Sequence, residues 1–283
     1  MLNQKIIKKI NDYVYIKPRT IQEISLLINK NWRTANSYIE KIKQEQGTIS
    51  IRIFREGTRG ALKIVYWNSI EKIHSSQFQE RLFQQISTGK HKEDFSPSEI
   101  YQYIDKNKKS AQILNEKSYY SKENFQDYQN FLKSTQQQIL LFSGNLSFLN
   151  LSYKNKNILQ TIEDLAKNNI SIKILTRVEL PGIENIKNTL SINEKLGKNL
   201  IEIHHCFQPL RCTIIDSKIA RIKEVKDPKV YPVDELKEKL TILYTIHDEE
   251  WIEWLQKVFF NLFRKSISEE KRIEDIENIS FIK

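Results

Sequence analysis

The chain has 283 residues, 39% of them hydrophobic and 28% charged, and carries a net charge of +10. That composition excludes wholesale disorder and is enough for one large core or two modest ones. No apolar run approaches the length of a membrane span, and Cys206 and Cys212 make no disulfide framework, so a soluble cytoplasmic protein without membrane contact is expected. The opening "MLNQKIIKKINDY" alternates apolar and charged residues, which is not the pattern of a signal peptide.

The charge is unevenly spread. Residues 1–70 hold thirteen Lys and Arg against five Asp and Glu, a balance of +8, and the remaining residues add only +2. A compact basic module at one end of a chain points to a polyanion, with nucleic acid foremost. "NQKIIKKINDYVY" puts Ile6, Ile7 and Ile10 on one helical face. Thr20 and Glu23 have capping-box spacing, so a second helix is predicted from Thr20, burying Ile21, Ile24, Leu27 and Ile28. Asn31 caps a third helix, "WRTANSYIEKIKQEQ", with Ala35, Ile39 and Ile42 inward and Gly47 at its end. Two alternating runs, 48–54 and 61–67, flank Gly57 and Gly60 as a hairpin.

Three helices and a hairpin with the charge concentrated here resemble a winged helix-turn-helix over residues 1–68, in which the third helix enters the major groove of double-stranded DNA. Its outer face offers Arg33, Thr34, Asn36, Ser37 and Lys41. Arginine reads guanine bidentately and asparagine reads adenine, whereas serine and lysine more often hold phosphate. Arg55, Thr58 and Arg59 at the hairpin tip are expected either to grip phosphates or to enter the minor groove. The competing account is a protein-interaction module with these charges merely solvated. Trp32 and Tyr38 read as anchors at the domain edge.

Residues 69–135 show no strand signature and read as a helical connector. A helix over "SIEKIHSSQFQERLFQQIS" aligns Ile73, Phe78, Leu82 and Ile86, and Ser96 with Glu99 has capping-box spacing before another helix. Phe125, Tyr128, Phe131 and Leu132 form an apolar stripe that needs a partner. A homodimer through this stripe is the preferred expectation, with docking on the C-terminal domain close behind. His74 and His91 are isolated and read as inert.

From 136 to 267 strands and helices alternate: "ILLF", "KNILQTIEDLAKNN", "ISIKILTR", "IENIKNTLSINEKLG", "LIEIHHC", "CTIIDSKIARIKEV", "KLTILYTIHD" and "EEWIEWLQKVFFNLFRKS". This order implies an α/β domain with a mixed sheet, followed by a charged tail over 268–283. The fold class as a whole is thus α+β at the N-terminus and α/β at the C-terminus.

"ILLFSGNLSFLN", "IKILTR" and "EIHHCFQPLRCTIIDSK", following a winged helix, resemble the phospholipase-D-like domain of archaeal TrmB-like transcription regulators. The resemblance implies a sequence-specific regulator whose C-terminal domain dimerises or senses a ligand. It also implies a test of the catalytic motif, in which a histidine stands two residues before a lysine and an aspartate five after it. Here those positions hold Pro209, Arg211 and Asp216. Proline has neither a nucleophile nor a proton to move. The Gly-Ser pair of the enzymes is replaced by "IARIKEV", and no second motif exists, so no catalytic residue is assigned. The alternative is a phosphodiesterase or nuclease brought to DNA by the winged helix, with His204 or His205 as nucleophile.

Arg211 beside Ser143 and Asn145 can hold a small anionic effector, with Asp216 nearby; alternatively Arg211 and Asp216 form a buried ion pair, which is favoured slightly. No cofactor is expected. Neighbouring residues on a strand face opposite ways, so His204 and His205 do not share a metal, and Cys206 and Cys212 do not complete a set.

Overall fold

The structure, a computed structural model, describes residues 4–55, 61–67, 76–154, 156–231 and 236–280 and divides into two compact units, Met1–Ser75 and Ser76–Lys283. The first begins with α1 (Gln4–Ile16), the short strand β1 (Arg19–Thr20), α2 (Ile21–Ile28) and α3 (Trp32–Gln46). Strands β2 (Ile49–Arg55) and β3 (Ala61–Trp67) follow as an antiparallel pair, with β3 between β1 and β2. The local chemistry is as the sequence predicts. The Thr20 hydroxyl accepts the Glu23 N–H at 3.1 Å while the Glu23 carboxylate accepts the Thr20 N–H at 2.7 Å. Asn31 accepts the Thr34 N–H at 2.8 Å, and Gly47 closes α3 in the left-handed region at φ 60°. Ile10, Ile24, Ala35, Ile39, Ile42 and Val65 form the core. Tyr38 packs on that core, but Trp32 is 57% exposed and anchors no edge.

The second unit opens with α4 (Gln77–Thr88), one turn of α5 (Ser98–Tyr101), β4 (Lys109–Asn115), one turn of α6 (Glu116–Tyr119), α7 (Lys122–Lys133) and β5 (Gln138–Phe142). A small hairpin, β6 (Ser152–Tyr153) and β7 (Lys156–Asn157), precedes α8 (Ile158–Lys167), β8 (Ser171–Thr176), α9 (Ile183–Leu196) and β9 (Ile201–His205). The chain then continues through β10 (Cys212–Ile215), β11 (Ile219–Lys226), β12 (Leu240–Ile246), α10 (Glu249–Lys265), β13 (Ile267–Ser268) and α11 (Glu269–Ser280). One mixed sheet runs β13-β9-β8-β5-β10-β11-β12-β4, parallel across β5, β8 and β9 and antiparallel elsewhere. Buried on both faces, β5 reads as the continuous apolar run expected of a central strand. Ile139 and Leu141 pack with α7, α8, α9 and α11 on one side. Phe142, pointing the other way, meets Phe259 of α10 edge-on at 5.1 Å. The second unit is therefore a three-layer α/β/α structure.

Several expectations need correction. The stretch 69–135 is no helical connector: β4 pairs along its whole length with β12, and from Ser76 onward these residues belong to the second unit. The strand escaped notice because β4 lies on the sheet edge, where four consecutive residues are exposed and no alternation survives. Ser96 caps nothing; its hydroxyl donates to Glu224 at 2.6 Å, and α5 starts without a side-chain cap. In α4, Leu82 and Ile86 are buried but Phe78 is 52% exposed, and Ile73 and His74 lie outside the described residues. The stripe of α7 is satisfied within its own chain, with Phe125, Phe131 and Leu132 buried in the core of the second unit and Tyr128 packed on it. It offers no surface for a homodimer. The expected tail is also part of the fold, since β13 pairs with β9 and Ile276 of α11 joins the same core.

Candidate functional site

The parallel strands β5 and β8 end together, and β10 begins beside them because it runs antiparallel to β5, with Cys212 opposite Phe142. Their ends frame a cleft of about 460 Å³. The carboxyl edge of parallel strands is where α/β sheets ordinarily present their ligand sites. From β5 comes the loop Ser143–Gly144–Asn145, from β8 Arg177, and from the approach to β10 Arg211.

Arg211 is the most constrained of these. Its guanidinium donates to the Leu210 carbonyl at 2.7 Å and more weakly to Gln208 at 3.4 Å. It lies against Gly144, where an added Cβ would come within 2.6 Å of a guanidinium nitrogen, so only glycine admits the side chain in this position. Burial, with Arg177 next to it, pushes the Arg211 pKa down to about 10. Ser143 and Asn145 line the cleft, but both side chains organise their own loop: the Ser143 hydroxyl accepts the Leu146 N–H at 3.1 Å, and Asn145 accepts that of Ser147 at 3.2 Å.

Asp216 is elsewhere. Arg211 precedes β10 and Asp216 follows it, so a four-residue strand separates them, about 13 Å of chain. The Asp216 carboxylate accepts the backbone N–H groups of Gln136, Gln137 and Gln138 at 2.8, 2.8 and 2.9 Å. The expected ion pair with Arg211 is therefore not formed. Asp216 and Ser217 instead turn the chain between β10 and β11 at φ 50° and 57°, splitting the single predicted run "CTIIDSKIARIKEV" into two strands.

The sequence reading missed the opposite wall. On β11, Ala220, Ile222 and Glu224 are buried towards one side, and Arg221, Lys223 and Val225 line the cleft on the other. Arg221 is held by Asp127 at 2.6 Å over the Phe131 ring. Lys223 donates to the Tyr119 hydroxyl at 2.6 Å and sits 4.2 Å from that ring's centroid. Burial, then the neighbouring charges of Lys239, Arg211 and Lys92, push its pKa down to about 8. Tyr119, Tyr120, Tyr128 and Phe148 supply an aromatic wall, and His91, expected to be inert, stands at the cleft as well. One signal was available: "ARIK" alternates basic with apolar residues at the period of a strand.

Neither histidine of "HHC" lines this cleft. His204 stacks on Phe263 at 3.8 Å and meets the Phe263 carbonyl and the Ser266 hydroxyl at 3.0 Å through Nδ1. His205 points to the other face of β9, where its Nδ1 accepts the Val178 N–H at 3.0 Å. Among the described residues no group of three His, Cys, Asp or Glu is placed to hold a metal, and no helix is long and apolar enough to cross a membrane.

In the first unit Arg33 and Ser37 are exposed on α3, with Thr34, Asn36 and Lys41 half-buried. Lys63 of β3 donates to the Asn36 side chain at 2.9 Å, and Lys41 pairs with Glu45 at 3.5 Å. The side chain of Arg55, together with Thr58 and Arg59, lies outside the described residues.

No family model matches the chain, and no curated protein matches it. Among solved structures, it is similar to the phospholipase D family member Nuc of Salmonella typhimurium at 11% identity and TM-score 0.40, over 56% of this chain and 97% of that one. It is similar to TrmBL2, an archaeal chromatin protein whose structure shows a novel mode of DNA binding, at 12% identity and TM-score 0.37, over 94% of each chain. Phosphatidylserine synthase of Haemophilus influenzae Rd KW20 matches 58% of this chain and 41% of its own at 12% identity and TM-score 0.38. Likenesses this distant carry no weight for function, which rests on the residues themselves.

Proposed function

We propose that the chain is a sequence-specific, DNA-binding transcription regulator. In this account the first unit is a winged helix-turn-helix with α3 as its reading helix, and the second is a phospholipase-D-like domain without catalysis. The observation that carries it is the outer face of α3, where Arg33, Thr34, Asn36, Ser37 and Lys41 share one side of a helix in a segment of charge +8. Lys63 contributes from the hairpin and fixes the Asn36 amide, which orients a group suited to adenine. Pairing of two chains on two half-sites belongs to the proposal, through a surface other than the α7 stripe.

Full-length protein is expected to bind duplex DNA with an affinity that falls linearly with salt on a double-logarithmic plot. Arg33→Ala should cost about 1–3 kcal/mol on the preferred sequence and flatten the preference among sequences. Fluorescence anisotropy at several salt concentrations measures both. An absence of binding at low salt would return the first unit to the protein-interaction class.

The second unit should hydrolyse neither model phosphodiesters nor DNA, with or without added metal. Pro209 offers no nucleophile, and His204 and His205 are committed to structural bonds away from the cleft. Turnover that disappears in His205→Ala, or a trapped phosphohistidine, would make the chain a phosphodiesterase instead.

A further inference from the structure

Among the described residues the cleft of the second unit is lined by six Lys and Arg residues, namely Lys92, Arg177, Arg211, Arg221, Lys223 and Lys239, with Glu93 acting on Arg211 from the other sign. Asp127 is engaged by Arg221, and Glu179 lies 3.9 Å from Arg177. Among the described residues Glu93 is the one carboxylate lining the cleft, and it pairs with Lys92 at 3.5 Å. Arg211 and Lys223, both half-buried, make their side-chain hydrogen bonds among the described residues to backbone carbonyls and to a tyrosine hydroxyl. The two are adjacent, since the Lys223 N–H bonds the Arg211 carbonyl at 2.8 Å across the β10–β11 ladder. Buried cations are ordinarily paired, because burial penalises the charged form and leaves its hydrogen bonds unmade. A small anion is what this arrangement suits.

The remaining wall narrows the class of that anion. Tyr119 and Tyr120 meet edge-to-face at 5.1 Å, Tyr120 is 64% exposed, and Phe148 and Tyr128 stand edge-to-face at 6.2 Å. Aromatic faces beside a cationic pocket suit a ligand with a planar ring and a phosphate, and the volume falls in the range of about 300–1,000 Å³ that drug-sized ligands occupy. We propose that the cleft binds a nucleoside phosphate, its phosphates between Arg211, Arg177 and Lys223 and its base against Tyr119, Tyr120 and Phe148. The binding itself is independent of the DNA-binding function; only the ligand's role as an effector rests on it.

Calorimetry and thermal shift on the full-length protein test this with ADP, inorganic pyrophosphate and adenosine. ADP should bind saturably and raise the melting temperature. Pyrophosphate, without the stacked base, should bind about tenfold more weakly, and adenosine, without the charge, more weakly still. Lys223→Met should cost about tenfold to a hundredfold in ADP affinity. Tyr120→Ala, at an exposed position, should bring ADP down to the level of pyrophosphate. Gly144→Ala displaces the Arg211 guanidinium and should weaken both ligands while circular dichroism reports a folded chain. Among the described residues the groups facing Lys223 are Tyr119 of α6, Lys239 before β12, Arg211 before β10 and Lys92 after α4, none of them a carboxylate. Protonated Lys223 is the binding form, so ADP affinity should fall from pH 7 to pH 9.5, and Lys223→Arg should remove that fall.

Absence of saturable ADP binding overturns the proposal. So does pyrophosphate binding as tightly as ADP with Tyr120→Ala neutral, because the base would then contribute nothing. If duplex DNA displaces ADP, and Lys223→Met weakens duplex and ADP equally, the cleft is a nucleic-acid groove and the proposal fails. A DNA-binding defect in Arg33→Ala with ADP binding intact leaves the cleft assignment standing, and the reverse result leaves the DNA-binding function standing.

Discussion

Replacing Lys223 with methionine is expected to stabilise the folded chain at pH 7 by about 2 kcal/mol. The half-buried ammonium on β11 stands beside Lys239, Arg211 and Lys92, and its pKa falls from 10.5 to about 8. A drop of that size corresponds to about 3 kcal/mol of unfavourable interaction in the charged folded form. Loss of the bond to Tyr119 takes back about 1 kcal/mol. The pH dependence follows from the direction of the shift. Below about pH 8 both folded and unfolded chains hold the proton, and the folded state carries the whole penalty. Between about pH 8 and 10.5 the unfolded chain retains a proton that the folded chain has released, so stability of the parent rises with pH. Urea unfolding at pH 7 and pH 9.5 should show the methionine variant ahead at the lower pH and the gap narrowing at the higher. A variant less stable than the parent at pH 7 would mean that the cation is compensated in the free protein. The same substitution that strengthens the fold is expected to weaken ligand binding, the usual relation between a site's chemistry and its stability.

Asp216→Ala should act in the opposite sense, destabilising the second unit by about 3 kcal/mol. The carboxylate accepts three backbone N–H groups, of Gln136, Gln137 and Gln138, and joins the start of β5 to the β10–β11 turn. Hydrogen bonds to a charged acceptor contribute about 1.5–3 kcal/mol each, but the amides at 136 and 137 are exposed and turn to water, so the sum is not reached. Alanine is also disfavoured at φ 50°, where asparagine sits more easily. Asp216→Asn should therefore cost only about 1 kcal/mol. Chemical denaturation of both variants measures the difference. ADP affinity should be unchanged in either, because Asp216 lies at the far end of β10 from Arg211. An alanine variant of undiminished stability that had lost the ligand would place Asp216 at the cleft after all.

The sequence by itself determined the local elements. Thr20 with Glu23, Asn31 and Gly47 set the ends of α2 and α3, because capping and left-handed turns depend on groups within a few residues. The apolar run of β5 and the amphipathic stripe of α7 were equally legible, since burial imposes period and composition on a contiguous segment. Arg211 and the loop of Ser143 and Asn145 were found through the resemblance to the phospholipase-D-like motif. Tertiary structure decided the rest. Whether the stripe of α7 met a second chain or its own sheet depended on where that sheet lay, and it lay beneath it. β4 was invisible because an exposed edge strand is held by backbone bonds to β12, and backbone bonds leave no mark on side-chain pattern. Arg211 and Asp216, five apart in sequence, were parted by the extended strand between them. Lys223 and Tyr119, 104 residues apart, were brought together by β11 and α6. A cleft is made by the ends of several strands at once, so its charge balance becomes readable only when the chain has closed around it.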